Sequence, residues 1–227
     1  RYFKNEFTKS INQIRHKSIK AVLKNFDKRK KSLEIIHSAD LPALSGLGSS
    51  SAFTASLINL IYTNNQEQIS KRELANKSVF IEKKILNESV GYQDQFASSF
   101  GGFNIINFSK KKISVNSVNI SQDKIKNLLD NMVLYFTGLQ RHSQVIEKNK
   151  IENLNKNEYF LKGMYSNAIK AKNILYSKKK SFLPELGSLL YKSWELKKEL
   201  SPKVSNKKID KLINFGLRNG ASGAKLL

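Results

Sequence analysis

The 227-residue chain contains no cysteine, which excludes a disulfide framework and any thiolate metal centre. Its 3 histidines, His16, His37 and His142, are scattered without metal-ligand spacing and read as surface or strand residues. No apolar run approaches the roughly 20 residues a membrane helix needs, so the expected compartment is the cytoplasm, without a membrane partner. Acidic residues are scarce, 18 against 40 basic ones, for a formal net charge of +22. Arginine is scarce too: only Arg1, Arg15, Arg29, Arg72, Arg141 and Arg218 interrupt a population of lysines. Base-edge and bidentate phosphate readout lean on arginine. The runs Lys28–Lys31, Lys110–Lys112 and Lys178–Lys180 carry no interleaved aromatics of the kind that stack nucleobases. A nucleic-acid partner is therefore disfavoured against a solvated lysine surface. It stands as the reading from another class, beside a catalytically silent fold kept as an interaction module.

The glycine-rich segment Asp40-Leu-Pro-Ala-Leu-Ser-Gly-Leu-Gly-Ser-Ser-Ser-Ala52 lacks the Gly-Lys-Ser/Thr of a P-loop. It does have Gly46 and Gly48, which let a polyanion approach the main chain, and Ser49, Ser50 and Ser51 at the mouth of an apolar helix pattern. Free N–H groups and the helix dipole favour phosphate there. The segment reads as a nucleotide loop of another kind.

Apolar spacing elsewhere predicts a mixed α/β chain with no internal repeat. A helix is expected over 11–26 and a short β-like run over Leu33–His37. A largely buried helix then follows the loop, with Phe53, Leu57, Ile58, Leu60 and Ile61. Ser70-Lys-Arg-Glu73 is a capping box that opens a helix to about Leu86. A short helix over 94–100 should stop at Gly101-Gly102, and a hairpin should pair 103–108 with 113–118 across Ser109–Lys112. Met132–Phe136 reads as a strand, followed by helices over 143–176, 182–200 and 206–219, the last two separated around Pro202. The polar stretch Ser121–Asp130 is the expected domain boundary, dividing the chain into 1–125 and 126–227. Trp194, with Tyr191 and Leu190, reads as helix packing.

Pro42 followed by Gly46-Leu47-Gly48-Ser49-Ser50 resembles the second motif of the GHMP kinases. Glu82 through Gly91-Tyr92-Gln93-Asp94-Gln95 to Gly101-Gly102-Phe103-Asn104 resembles that family's acidic segment, in a form most like its heptose 7-phosphate kinase branch. Thr137-Gly138 with Arg141 is similar to the opening of that branch's second domain, and Gly220–Leu227 to the approach to the last glycine-rich motif. Leu44 departs from the branch, whose loop often has glycine there. The resemblance implies an α+β fold of two domains, one like ribosomal protein S5 domain 2 and one ferredoxin-like. It also implies a fragment, incomplete at both ends, that alone is inactive and poorly soluble.

The implied activity is ATP-dependent phosphorylation of a sugar-phosphate hydroxyl, the anomeric hydroxyl of a heptose 7-phosphate being favoured. Other acceptors of the family, such as galactose, fucose, mevalonate or homoserine, are the alternatives. ATP is expected on Pro42, Ser45, Gly46, Leu47, Gly48, Ser49, Ser50 and Ser51. Mg²⁺ keeps several of its waters, so a hydroxyl and a carboxylate suffice to hold it, and these are Ser50 and Glu82. On a helix Glu82 is surrounded by Ser78, Val79, Ile85 and Leu86, an apolar setting that calls for a cation. The other reading has it snorkelling to solvent or pairing with a lysine. Asp94 matches the family's proposed base for the acceptor hydroxyl, with electrostatic support as its other chemical role and N-capping of a short helix as the plain one. Gly91 and Arg141 are the expected substrate contacts, Arg141 as a forked anion anchor or else a structural ion pair.

Overall fold

The computed structural model describes residues 5–40, 46–109, 111–138 and 154–227. The fold is α+β, as expected, and the chain divides into two compact units, Arg1–Ser117 and Val118–Leu227. The helix Gln122–Asp130 thus belongs whole to the second unit, whereas a cut at 125/126 would pass through it.

In the first unit a 3₁₀ turn, Ile11–Gln13, leads to helix α1, Lys17–Phe26. His16 caps α1, its Nδ1 accepting from the Ile19 N–H at 3.4 Å. Ala21, Val22 and Leu23 pack against Leu57, Ile58 and Ile61 of α2, Ser49–Asn64, together with Ile81. Val22, Ile58, Ile61 and Ile81 are fully buried, each contributing about 1.5–3 kcal/mol relative to exposure. Ser70 accepts from the Glu73 N–H at 3.2 Å and opens α3, Lys71–Val79, as the capping box predicted. From Phe80 to Ile85 the helix widens into a π-turn, closed by the Leu86 N–H on the Ile81 carbonyl at 2.9 Å. Such insertions re-aim the residues they carry, and Glu82 lies in this one. Helix α4, Gln93–Phe100, ends where Gly101 (φ 64°) and Gly102 (φ 75°) take left-handed conformations. Strands β1, Asn104–Phe108, and β2, Ile113–Ser117, pair antiparallel with Asn104 opposite Ser117.

The second unit opens with α5, Gln122–Asp130, in the stretch expected to hold the domain boundary. Ser121 Oγ accepts from the Lys124 N–H at 3.3 Å, so the polar stretch is a capped amphipathic helix. Helix α6, Leu154–Tyr176, packs on α7, Leu183–Glu199. Helix α8, Lys207–Arg218, follows, with Asn206 Oδ1 accepting from the N–H groups of Lys208 and Ile209, both at 3.0 Å. Trp194, Val204 and Ile209 form this unit's core, flanked by Tyr191, Ile213 and Leu226, which bears out the packing role of Trp194.

Two predicted strands are corrected. Leu33–His37 and Met132–Phe136 have no regular structure, because a strand exists only through a neighbour's ladder. The one sheet among the described residues is β1 with β2. Val133, 93% exposed, and Ile36, 82% exposed, show the consequence. The start of the helix expected over 143–176 lies outside the described residues.

Candidate active site

The glycine loop enters α2 through left-handed backbone at Gly46 (φ 80°) and Gly48 (φ 71°). Gly48 is the N-cap residue and supplies no side-chain bond, so the first N–H groups of α2 keep no capping acceptor from it. A Cβ built on Gly48 would lie 3.5 Å from Asp94 Cβ and Cγ and 3.7 Å from Asp94 Oδ2. Loop and carboxylate are thus in near contact, although they stand 46 positions apart in the chain. Asp94 is exposed in the first turn of α4. The N-cap of that helix is Tyr92, so the capping role considered for Asp94 is not the one it has.

Glu82 is 1% exposed, which removes the snorkelling alternative. Its side-chain partners are neutral: Ser51 Oγ donates to Oε2 at 3.0 Å, and Gln95 Nε2 donates to the same oxygen. Oε1 is buried with no hydrogen-bond partner. The hydroxyl that reaches Glu82 is that of Ser51; Ser50, one residue earlier, is exposed at the helix mouth. The walls are polar beyond this pair. Thr54 Oγ1 on α2 and Gln95 Oε1 and Ser99 Oγ on α4 are also buried without partners.

Glu88 follows the π-turn and donates its N–H to the Glu82 carbonyl at 2.9 Å. Burial and the neighbouring Glu82 carboxylate push its carboxyl above the ordinary range, with Lys17 opposing them. Negative charge is therefore crowded here. A divalent cation fits this setting, because a buried carboxylate with an open oxygen is costly until a cation or donor meets it. A helix N-terminus without a side-chain cap beside it suits the phosphates that such a cation accompanies.

Among the other predicted site residues, Gly46, Leu47, Gly48, Ser49, Ser50 and Ser51 gather at the entry to α2. Gly91 is exposed two residues before α4. Pro42, Ser45, Arg141 and His142 lie outside the described residues. The sequence reading missed the contact of Gln95 with Glu82. Its one trace in the sequence was the spacing of Gln95, Phe96 and Ser99, three buried residues on one face of α4. It also missed the capping role of His16 and the placement of His16 and His37 against Phe53, with ring centroids 5.3 and 4.6 Å apart.

Residues 14–102 match the family described as GHMP kinases N terminal domain. The chain is 32% identical over 208 residues to the D-glycero-alpha-D-manno-heptose 7-phosphate kinase of Campylobacter jejuni, covering 90% of this chain and 60% of that protein. It is 27% identical over 200 residues to the bifunctional fucokinase/GDP-fucose pyrophosphorylase of Arabidopsis thaliana, covering 83% of this chain and 18% of that one. A solved D-glycero-D-manno-heptose 1-phosphate kinase from Bacteroides thetaiotaomicron superposes with TM-score 0.65 at 28% identity, over 81% of this chain and 55% of that one. A mevalonate kinase structure superposes with TM-score 0.63 at 21% identity, over 95% of this chain and 66% of that one, a likeness of fold. The chain thus spans less than two thirds of the length of the curated relatives it matches.

Proposed function

Because the chain belongs to the GHMP kinases, we propose that it carries the nucleotide loop and acceptor-side carboxylate of an ATP-dependent kinase acting on a hydroxyl of a sugar phosphate. The favoured acceptor is the anomeric hydroxyl of a heptose 7-phosphate. The observation that supports this most is the near contact of Gly48 with Asp94, since it brings phosphate-binding backbone and a carboxylate within reach of one transferring group. In this reading the main-chain N–H groups around Gly46–Ser51 hold the ATP phosphates and orient the γ-phosphoryl group. Asp94 holds the acceptor hydroxyl in line and takes its proton as the new oxygen–phosphorus bond forms and the bond to the ADP oxygen breaks. The transition state of such transfers is loose, so positioning contributes more than early proton abstraction.

Glu82, with the hydroxyls of Ser50 and Ser51 at the mouth of α2, would hold Mg²⁺. When bound, that ion supplies charge neutralisation at the phosphate oxygens. Arg141 is the proposed anchor for the acceptor's own phosphate, and Gly91 a further proposed acceptor contact. One relative is named for a heptose 7-phosphate and another for a heptose 1-phosphate, which supports a phosphorylated sugar.

The test is acceptor profiling of the full-length protein with ATP labelled in its γ-phosphate. Transfer to heptose 7-phosphate well above transfer to galactose, fucose, mevalonate or homoserine is the expected result. Preference for an uncharged acceptor would overturn the heptose assignment, and no transfer to any of them would overturn the kinase reading.

A further inference from the structure

Two donors fix Glu82, and both take the same oxygen. Ser51, in the first turn of α2, reaches Oε2 from one side, and Gln95, on α4, reaches it from another. A carboxylate turns easily about its last bond, where the torsion is broad. With both donors on Oε2 that rotation is stopped, and the unpartnered Oε1 is held in one direction. The identity of the second donor matters. A lysine at position 95 would neutralise the carboxylate, and a glutamate would repel it. Glutamine supplies an N–H and no charge, so the full negative charge of Glu82 stays available to a ligand. Gln95 is itself 1% exposed, and a buried amide is retained at a cost unless its bonds are made. It is also the residue after Asp94. The same helix therefore carries the acceptor-side carboxylate and the clamp on the cation-side one.

We infer that Gln95 is a positioning residue for the reaction: it fixes the open oxygen of Glu82 toward a divalent cation and ties that oxygen's place to Asp94 through α4. The inference rests on the reading of Glu82 as the Mg²⁺ carboxylate. Groups that orient a metal ligand typically contribute 10- to 100-fold in metal affinity.

The experiment measures ADP affinity of the full-length protein by calorimetry, with Mn²⁺ present and with EDTA, beside thermal midpoints. Gln95→Met keeps the side-chain volume and removes the donor. It should weaken Mn²⁺·ADP binding by about 10-fold or more and leave ADP in EDTA within about 2-fold of the parent. Equal loss in both conditions, with a lowered midpoint, would make Gln95 merely structural and overturn the inference. Gln95→Asn, which withdraws the amide by one methylene, covers the case in which Gln95→Met does not fold. It should show the same selective loss, and an intact Mn²⁺ advantage in it would overturn the inference. Glu82→Gln separates the two levels. If it keeps the Mn²⁺ advantage, the reading of Glu82 itself falls; if it loses the advantage while both Gln95 variants keep theirs, only the clamp falls.

Discussion

The two units differ in how they bond their buried polar side chains: in the second, Glu195 Oε1 has only the Lys198 ammonium at 2.8 Å, and the buried amides and hydroxyls have partners in the fold. In the second unit Asn157 donates to the Leu200 carbonyl at 3.1 Å, Asn167 to Ser193 Oγ at 3.2 Å, and Ser201 Oγ accepts from the Lys203 N–H at 3.3 Å. Each of these buried groups has a partner within the fold. In the first unit Thr54 Oγ1, Glu82 Oε1, Gln95 Oε1 and Ser99 Oγ are buried without one, in the wedge where α2 packs on α3 and α4. Buried polar groups that a fold leaves open are costly. Four of them cluster on α2, the π-turn and α4 near the glycine loop, where the proposed function puts a ligand, whereas the second unit's polar bonds serve packing. The difference lies in bonding and not in composition, since both units bury serine and amide side chains.

The comparison breaks most visibly at Asp94. Asp94→Asn should lower turnover of the full-length protein by about 10²- to 10⁴-fold, the usual contribution of a positioned base, with nucleotide affinity nearly unchanged. Steady-state kinetics beside direct nucleotide titration checks this, and unaltered turnover would strip Asp94 of its role. Next in size is a change confined to packing. Trp194→Ala should cost the second unit about 3–5 kcal/mol, read by chemical denaturation followed by circular dichroism. An effect under about 1 kcal/mol would mean that Trp194 is not the centre of that core.

Smaller substitutions sharpen the contrast. Glu82→Gln should reduce the response of turnover to Mg²⁺ by about 10-fold or more. It should also hold or raise the thermal midpoint of the ligand-free protein, because a neutral amide replaces a buried charge. A midpoint lowered by several degrees would make Glu82 structural. Asn157→Leu is the counterpart. It leaves the Leu200 carbonyl without its donor and should cost about 1–3 kcal/mol, with the Mg²⁺ response unchanged. A shifted Mg²⁺ response in this variant would erase the distinction between the two kinds of buried polar group.

What was legible in the sequence was local. The capping box at Ser70, the glycines that end α4 and the hairpin around Ser109 depend on residues a few positions apart, and each formed as read. The loop at Gly46–Ser51, Glu82 and Asp94 were singled out by residue type and order. Their mutual placement was not, because Ser51 and Gln95 meet Glu82 across 31 and 13 residues, and the π-turn at Phe80–Ile85 leaves no periodicity signal of its own. Leu33–His37 and Met132–Phe136 show the opposite failure. Their β-like composition describes what the residues tolerate, but a strand is decided by its neighbour, and none pairs with them among the described residues. Ser121–Asp130 was read only as a boundary, and its helix went unread, although Ile125, Leu128 and Leu129 on one face of a polar run make an amphipathic helix.

Amide hydrogen exchange of the full-length protein, with and without Mg²⁺·ADP, tests the central claim most directly, since it reads both units at once. Slowed exchange concentrated at Gly46–Ala52 and along Phe80–Phe96, with Leu183–Arg218 unchanged, is the result expected if the open polar groups of the first unit mark the nucleotide site. Protection confined to the second unit, or none at a saturating ligand concentration, would contradict it.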